Sequence, residues 1–155
     1  MQAHRPIEEH SRRLYWHGMA LLLLGLLMGA VVQAVANPRI GLSAHTGTLM
    51  NGILLIAMGA LWPRLALSTR AESAAFALNI AGSWLNCVAL FFAGVFGTSR
   101  STPLHGAGYA GTPLQEMLVG AGLVAGAVAL LGGCALVLWG LRGRGPTTPA
   151  SLSGP

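Results

Sequence analysis

The chain has 155 residues, a formal net charge of +5 and only 8% charged residues, about a third of the share that is usual in soluble domains. Four long windows carry no charge, and a soluble surface, of which roughly a quarter is charged, cannot be built over them. A soluble globular enzyme and a disordered chain are therefore excluded, and an all-α integral membrane protein remains. The uncharged windows are residues 14–38, 40–63, 73–99 and 117–141.

The positive charge does not indicate a nucleic-acid partner, because no more than two arginines are adjacent and binding to a phosphate backbone needs a clustered basic face. It predicts membrane orientation instead. With four spans, seven arginines lie on one side and two on the other, so the positive-inside rule places both termini in the cytoplasm. The seven are Arg5, Arg12, Arg13, Arg64, Arg70, Arg142 and Arg144, and the two are Arg39 and Arg100.

The first predicted element is a polar N-terminal segment, residues 1–13, on the cytoplasmic side. The first span follows at about 14–35, and its apolar run is longer than the core of a cleaved signal peptide. At about 1.5 Å per residue this run crosses the hydrocarbon. Asn37 and Pro38 then break the helix, and the second span covers about 43–62, where a proline ends it.

Capping boxes predict the starts of the last two spans. Thr69 with Glu72 begins the third, and Thr112 with Gln115 begins the fourth. The long loop between these spans is rich in Gly, Ser, Thr and Pro, which is typical of an irregular connection. The two spans cover about 70–96 and 113–141.

The four spans form one transmembrane four-helix bundle, residues 14–142. A tail over residues 143–155, rich in Gly, Pro, Thr and Ser, is expected to be disordered. The two cysteines, Cys87 and Cys134, lie inside predicted spans, where they serve as small apolar residues rather than as a disulfide or a metal site.

Glycines recur at helical spacing in the first and fourth spans. Small residues on one face let helices approach closely in lipid. These stripes fit packing within one bundle and an interface between subunits equally well. They consist of Gly25 and Gly29 in the first span and of Gly122, Gly126, Gly133 and Gly140 in the fourth.

Polar side chains inside a membrane are costly and mark candidate functional sites. His45, Thr48 and Asn51 form a slanting polar strip near one end of the second span. Gly52 and Gly59 continue nearly in line below His45, one and two heptads on. An imidazole above this glycine track could face a flat ligand and bind a metal or haem iron. The alternative, which spacing alone favours, is a hydrogen bond to a neighbouring helix.

The third span carries Asn79, Ser83 and Asn86 on one face, beside Trp84. A carboxamide can orient a small polar group in an apolar pocket, and the alternative role is hydrogen bonding between helices.

Two further polar residues have weaker signals. His17 lies next to Trp16 near the start of the first span and fits an interfacial aromatic belt. Glu116 lies in the first turn of the fourth span, where an acid favours the helix dipole. The sequence contains no hydrolase, P-loop or dinucleotide-binding motif.

Five short motifs follow one another in a specific order along the chain. They are Trp16-His17-Gly18, Asn37-Pro38-Arg39, Ala44-His45-Thr46-Gly47 leading to Asn51-Gly52, Trp84-Leu85-Asn86, and Gly111-Thr112-Pro113-Leu114-Gln115-Glu116. In this order they resemble the hydroxylaminobenzene mutases, small bacterial membrane enzymes that isomerise arylhydroxylamines to 2-aminophenols. The resemblance covers about residues 14–142. It implies a small aromatic substrate and a multi-pass protein of the bacterial inner membrane, surrounded by lipid.

The second span is also similar, more distantly, to that of the styrene oxide isomerases, which are four-helix membrane isomerases. Their Ala-His-x-Gly…Asn-Gly segment carries a histidine that binds haem b and an asparagine that lines the substrate site. The resemblance implies these roles for His45 and Asn51. It also implies a homotrimer, in which the glycine stripes would lie at the interface.

The third span matches that family in part. Trp84 and Asn86 correspond to its Trp-x-Asn. The family's active-site tyrosine and aspartate fall at Leu90 and Gly82, and these departures favour the mutase reaction over epoxide isomerisation.

The resemblance therefore implies an isomerase in which haem iron acts as a Lewis acid on the hydroxylamine oxygen. Two alternatives stay open: a haem-dependent isomerase of aryl epoxides, and a non-enzymatic four-helix scaffold protein. The expected cofactor-binding residues are His45, His17 and Gly52, with His45 as the iron ligand. The expected catalytic residues are Asn51, Asn86, Ser83 and Glu116, and the expected substrate-binding residues are Trp84, Asn79 and Thr48.

Overall fold

The computed structural model describes residues 4–143. Within that range the fold is entirely helical, and four helices are long and apolar enough to cross a membrane. This confirms the four predicted spans. The helices are α1 His4–Val31, α2 Pro38–Leu61, α3 Thr69–Phe96, α4 Pro103–Gly106 and α5 Pro113–Leu141, and 3-10 turns follow α1 and α2 at Val32–Ala34 and Trp62–Arg64.

Helix α1 begins ahead of the predicted first span, at His4. Contacts with α3 account for part of this extension. The His10 ring packs on Phe76 with centroids 4.4 Å apart, and its Nδ1 lies 3.0 Å from Glu72 Oε1. The predicted disordered tail lies, from residue 144 onwards, outside the described residues.

Asn37 and Pro38 start α2 rather than only breaking α1. The Asn37 side chain accepts hydrogen bonds from the backbone N–H groups of Arg39 and Ile40. Pro38 takes the first helical position, where its missing N–H costs nothing. The second helix therefore begins before the predicted residue 43.

The predicted capping box of the third span is wrong by one residue. Ser68 is the N-cap of α3, and its side chain accepts from Ala71 N–H, while Thr69 is already helical. The Glu72 carboxylate accepts from Trp62 Nε1 at 2.9 Å instead of reaching back to the cap. A contact between helices thus replaces the local one.

The predicted capping box of α5 is confirmed. The Thr112 side chain accepts from Gln115 N–H, and the Gln115 side chain accepts from Thr112 N–H. At the end of α3, Gly97 takes a left-handed conformation with φ 64°, which glycine adopts without a Cβ penalty.

The long helices pack mainly as two pairs, α1 with α2 and α3 with α5, and α2 joins the pairs by packing on α3. The glycine stripes lie inside these contacts. A Cβ on Gly126 would lie 3.1 Å from the backbone N of Asn86, and one on Gly25 would lie 2.8 Å from Leu49 Cδ2. These two glycines of the stripes therefore pack against other helices of the same chain.

The outer surface of the bundle is apolar. Large apolar side chains such as Leu27, Met50 and Leu131 are exposed by 58%, 70% and 72%. Hydrocarbon, rather than water, suits a surface of this kind. Both cysteines are free thiols, as expected for small apolar residues.

Candidate active site

His45 projects from α2 towards α1. Its Nδ1 lies 2.7 Å from the carbonyl oxygen of Gly25. Because a carbonyl oxygen can only accept, Nδ1 carries a proton, and in the neutral imidazole Nε2 then holds the lone pair. Nε2 has no hydrogen-bond partner within residues 4–143, and it is not sealed inside the chain. His45 thus makes the hydrogen bond to a neighbouring helix and still offers a ligand atom.

Asn51 and Asn86 meet between α2 and α3. Asn51 Nδ2 donates to Asn86 Oδ1 at 3.1 Å, and Asn51 is only 8% exposed. In the described part of the chain, Asn51 Oδ1 and Asn86 Nδ2 make no further hydrogen bond. The pair therefore leaves one acceptor and one donor for a small polar ligand.

His45 and Asn51 face different helices although they belong to one polar strip. Six residues advance a helix by about 9 Å and turn it by about 240° beyond a full turn. His45 consequently faces α1, and Asn51 faces α3. The two side chains therefore lie on different sides of α2.

His17 and Trp84 join α1 to α3. Trp84 Nε1 donates to His17 Nδ1 at 3.2 Å. An indole N–H can only donate, so His17 Nδ1 holds the lone pair and the ring proton lies on Nε2. His17 therefore accepts through Nδ1 in this arrangement, and its ring N–H on Nε2 can donate to another group. It is half-buried and bonded inside the bundle rather than part of a surface belt, while Trp16 is 66% exposed.

Three other predicted site residues are fully buried. The Asn79 amide donates to Ala75 O at 2.8 Å, and Thr48 donates to Met28 Sδ at 3.6 Å, so both have partners inside the bundle. Ser83 differs, because its Oγ is sealed from solvent and has no hydrogen-bond partner among the described residues. This hydroxyl lies one turn before Asn86 on α3.

Glu116 clamps the loop before α5. Its carboxylate accepts from the backbone N–H groups of Ser99 at 2.9 Å, Arg100 at 3.0 Å and Gly111 at 3.1 Å. The side chain is 8% exposed. Its contacts are those of a residue that fixes a loop, and none of the other predicted site residues touches it.

Gly52 and Gly59 lie against α1. A Cβ on Gly52 would lie 2.8 Å from the backbone O of Gly18, and one on Gly59 would lie 3.1 Å from the Tyr15 ring. The expectation that this glycine track leaves an open face for a flat ligand is wrong, since α1 covers the track.

One polar cluster was not predicted. Glu72 on α3 accepts from Trp62 Nε1, and its Oε1 also lies 3.0 Å from His10 Nδ1 on α1. Glu72 lies 62 residues from His10 and 10 residues from Trp62, and no local motif connects the three. The cluster ties three helices together at the end of the bundle where α3 begins.

The polar side chains of the site suit haem better than a bare metal ion. Within residues 4–143 no group of three His, Cys, Asp or Glu side chains could hold a bare metal ion. Haem needs only an axial side chain, because its equatorial ligands belong to the macrocycle. In the neutral imidazole with its proton on Nδ1, Nε2 of His45 can supply that ligand atom.

Gly82 and Leu90 lie where the resemblance expects an aspartate and a tyrosine. A Cβ on Gly82 would lie 2.8 Å from Leu130 Cγ and 2.9 Å from Leu130 N on α5. No acidic side chain fits at this position without separating the two helices. Leu90 packs opposite Gly47 on α2.

Comparison with known proteins shows the family to which the chain belongs. The sequence pattern of the styrene oxide isomerases matches residues 10–142. The chain is 41% identical over 160 residues to hydroxylaminobenzene mutase HabB from Ectopseudomonas oleovorans, covering 100% of this chain and 98% of that protein. It is 36% identical over 107 residues to hydroxylaminobenzene mutase HabA from the same organism, covering 68% and 79%. These relationships set aside a non-enzymatic scaffold. The chain belongs to the styrene oxide isomerase family, and it is an isomerase.

Proposed function

We propose that this isomerase converts arylhydroxylamines such as hydroxylaminobenzene into 2-aminophenols. The hydroxyl group moves from nitrogen to the ortho carbon, the N–O bond breaks, a C–O bond forms, and the ortho proton is lost as nitrogen gains one. Substrate and product are isomers, so no external oxidant or reductant is needed. The observation that carries the proposal is the 41% identity to a hydroxylaminobenzene mutase, which extends over the full chain.

We also propose haem b as the cofactor, and His45 as the residue that would bind its iron. The support is the lone pair left on Nε2 by the bond between Nδ1 and the Gly25 carbonyl. When bound, haem iron supplies a Lewis acid that favours heterolysis of the N–O bond.

The side chains of the protein orient the substrate and exclude water from it. Asn51 Oδ1 can accept from the N–H of the hydroxylamine, and Asn86 Nδ2 can donate to its oxygen. The unpartnered Ser83 hydroxyl is the third group available on this side of α3. The apolar helices around these residues hinder water from trapping a cationic aryl intermediate. The Trp84 ring can face the aromatic ring of the substrate, because the hydrogen bond to His17 on α1 uses only the indole N–H.

Isomerisation of aryl epoxides is the second candidate, and the match to the styrene oxide isomerases favours it. The tight packing at Gly82 weighs against it, because no acidic side chain is accommodated there. Product analysis separates the candidates. Purified protein should turn hydroxylaminobenzene into 2-aminophenol without added cofactor and should leave styrene oxide unchanged. The reverse pattern would contradict the proposal.

An absorbance spectrum tests the cofactor. Protein expressed with ample haem and purified in detergent should have a Soret band, and His45→Ala should abolish or shift it. A folded wild-type protein without this band would overturn the haem assignment and leave the product assay to stand on its own.

The cellular setting is proposed with the same reaction. We expect both termini in the cytoplasm, insertion in the bacterial inner membrane and assembly as a homotrimer. The arginine distribution supports the orientation, and the apolar outer surface supports insertion in a membrane. The inner membrane and the homotrimer rest on the resemblance to the bacterial mutases and the styrene oxide isomerases. Native mass spectrometry in detergent should give three chains per particle, and a monomer or a dimer would contradict the assembly.

A further inference from the structure

We propose that helix α1 holds the His45 imidazole in one tautomer and one orientation, through the carbonyl of Gly25 and the missing side chain of Gly29. Gly29 is then a positioning residue for the cofactor ligand. The inference rests on the haem part of the proposed function. It assigns to the Gly25–Gly29 pair a role beyond close approach of helices.

The space beside Gly29 is filled by the His45 ring. A Cβ on Gly29 would lie 2.7 Å from Nδ1 and 2.8 Å from Cε1. Both distances are shorter than any side chain tolerates, so even alanine would push the ring away. The imidazole can lie here only because residue 29 has no side chain.

The carbonyl of Gly25 fixes which nitrogen is protonated. It lies 2.7 Å from His45 Nδ1 and can only accept, so the lone pair is left on Nε2. Histidines that bind metals commonly donate their second ring N–H to a carbonyl or carboxylate, which fixes the tautomer and ring orientation. Here a neighbouring helix supplies that partner before any metal is bound.

Helix α1 also carries His17, whose ring proton lies on the other nitrogen. His17 Nδ1 accepts from Trp84 Nε1, so its proton lies on Nε2. Of His17 and His45, only His45 has a partner that leaves the lone pair on Nε2. The difference follows from the partners, because a carbonyl only accepts and an indole N–H only donates.

Gly29→Ala tests the positioning. Haem is titrated into haem-free protein in detergent, and the dissociation constant and Soret position are recorded. Loss of such a supporting contact typically weakens metal binding about 10–100-fold, so Gly29→Ala should bind haem at least about 10-fold more weakly, with a shifted band. The control is Gly132→Ala, whose Cβ would lie 3.5 Å from Leu78 Cδ1, an ordinary contact; it should bind haem as the wild type does. Folded Gly29→Ala with wild-type affinity and spectrum would overturn the inference.

If Gly29→Ala does not fold, two further measurements test the contact between Gly29 and His45. In the His45→Ala background the ring is gone, so adding Gly29→Ala should cost much less stability than it does in the wild type; an equal cost would overturn the steric argument. Nitrogen NMR of haem-free wild-type protein, with the His45 signals identified by their loss in His45→Ala, should find the proton on Nδ1. A proton on Nε2 would also overturn it. Wild-type protein that binds no haem but has this tautomer would contradict the proposed cofactor, not the positioning.

Discussion

Asn51 and Asn86 share one hydrogen bond, which leaves one acceptor and one donor free among the described residues. Two roles are therefore open to the pair: joining α2 to α3, and binding the substrate. A hydrogen bond between membrane helices contributes roughly 0.6 kcal/mol on average, so the pair adds little to the stability of the bundle. A donor or acceptor aimed at developing charge in a reaction is worth far more, about 10²–10³ in rate. Stability and turnover should therefore respond differently when one amide is removed.

Asn51→Ala should lower turnover of hydroxylaminobenzene about 100-fold or more while changing the free energy of unfolding by less than about 1 kcal/mol. Thr46→Val is the control, since the Thr46 hydroxyl bonds only to carbonyls of its own helix, within the described chain, on an exposed face. It should leave both quantities near wild type. A stability loss for Asn51→Ala with turnover retained would make the pair a structural contact alone.

Glu116 shows how partners decide the role of a carboxylate. It accepts three backbone N–H groups from two loop segments, and hydrogen bonds to charged groups contribute roughly 1.5–3 kcal/mol each. Its contacts point to stability rather than to chemistry. A single glutamate in the first turn of a helix predicts a dipole interaction, and the sequence does not reveal which loop atoms fold back onto it.

Glu116→Gln should lower the free energy of unfolding by roughly 2 kcal/mol, because a neutral amide replaces a charged acceptor. Turnover per folded molecule should stay close to wild type. Thermal unfolding in detergent combined with the product assay measures both. A stable Glu116→Gln protein without turnover would contradict this and indicate that Glu116 takes part in the reaction.

At the scale of helices, sequence patterns predict the features that depend on neighbouring residues, such as the length of a span and its cap. The four spans and the cap at Thr112 follow from hydrophobic length and a capping box, and both are observed. The cap of α3 is displaced by one residue because Trp62 takes the Glu72 carboxylate. That contact joins helices, so the sequence near Glu72 could not reveal it. The placement of α1 over the Gly52 track depends in the same way on how two helices pair.

The α3–α5 contact gives a prediction at this scale. Gly82→Ala would place a Cβ 2.8–2.9 Å from Leu130 atoms, and overpacking of this kind costs about 1–3 kcal/mol. Gly132→Ala is the matched control on α5, with room for the added methyl group. Unfolding measured in the same detergent should separate the two variants. Equal stability would show that α3 and α5 are not in close contact in the folded protein.

At the scale of the whole molecule, the charge-free windows predict a membrane protein and the number of its spans. They do not predict which helices pair, because every span is apolar on most of its faces. The site residues are distributed accordingly: His17 and Trp84 lie between α1 and α3, Asn51 and Asn86 between α2 and α3, and His45 against α1. Residue types identify these candidates, whereas their grouping depends on helix pairing.

The orientation of the molecule is open to a direct test. An even number of spans puts both chain ends on one side, and the arginine excess predicts the cytoplasm. A green fluorescent protein fused to the C-terminus should fluoresce, and alkaline phosphatase fused at the same position should be inactive. An active phosphatase fusion would contradict this orientation.

The central claim is that the protein is an isomerase that moves a hydroxyl group within one arylhydroxylamine molecule. The most direct measurement is the conversion of hydroxylaminobenzene by purified protein in ¹⁸O-labelled water, followed by mass analysis of the product. The account predicts 2-aminophenol without the label, because the oxygen that leaves nitrogen is the one that reaches the ring. Labelled 2-aminophenol, or no 2-aminophenol at all, would contradict it.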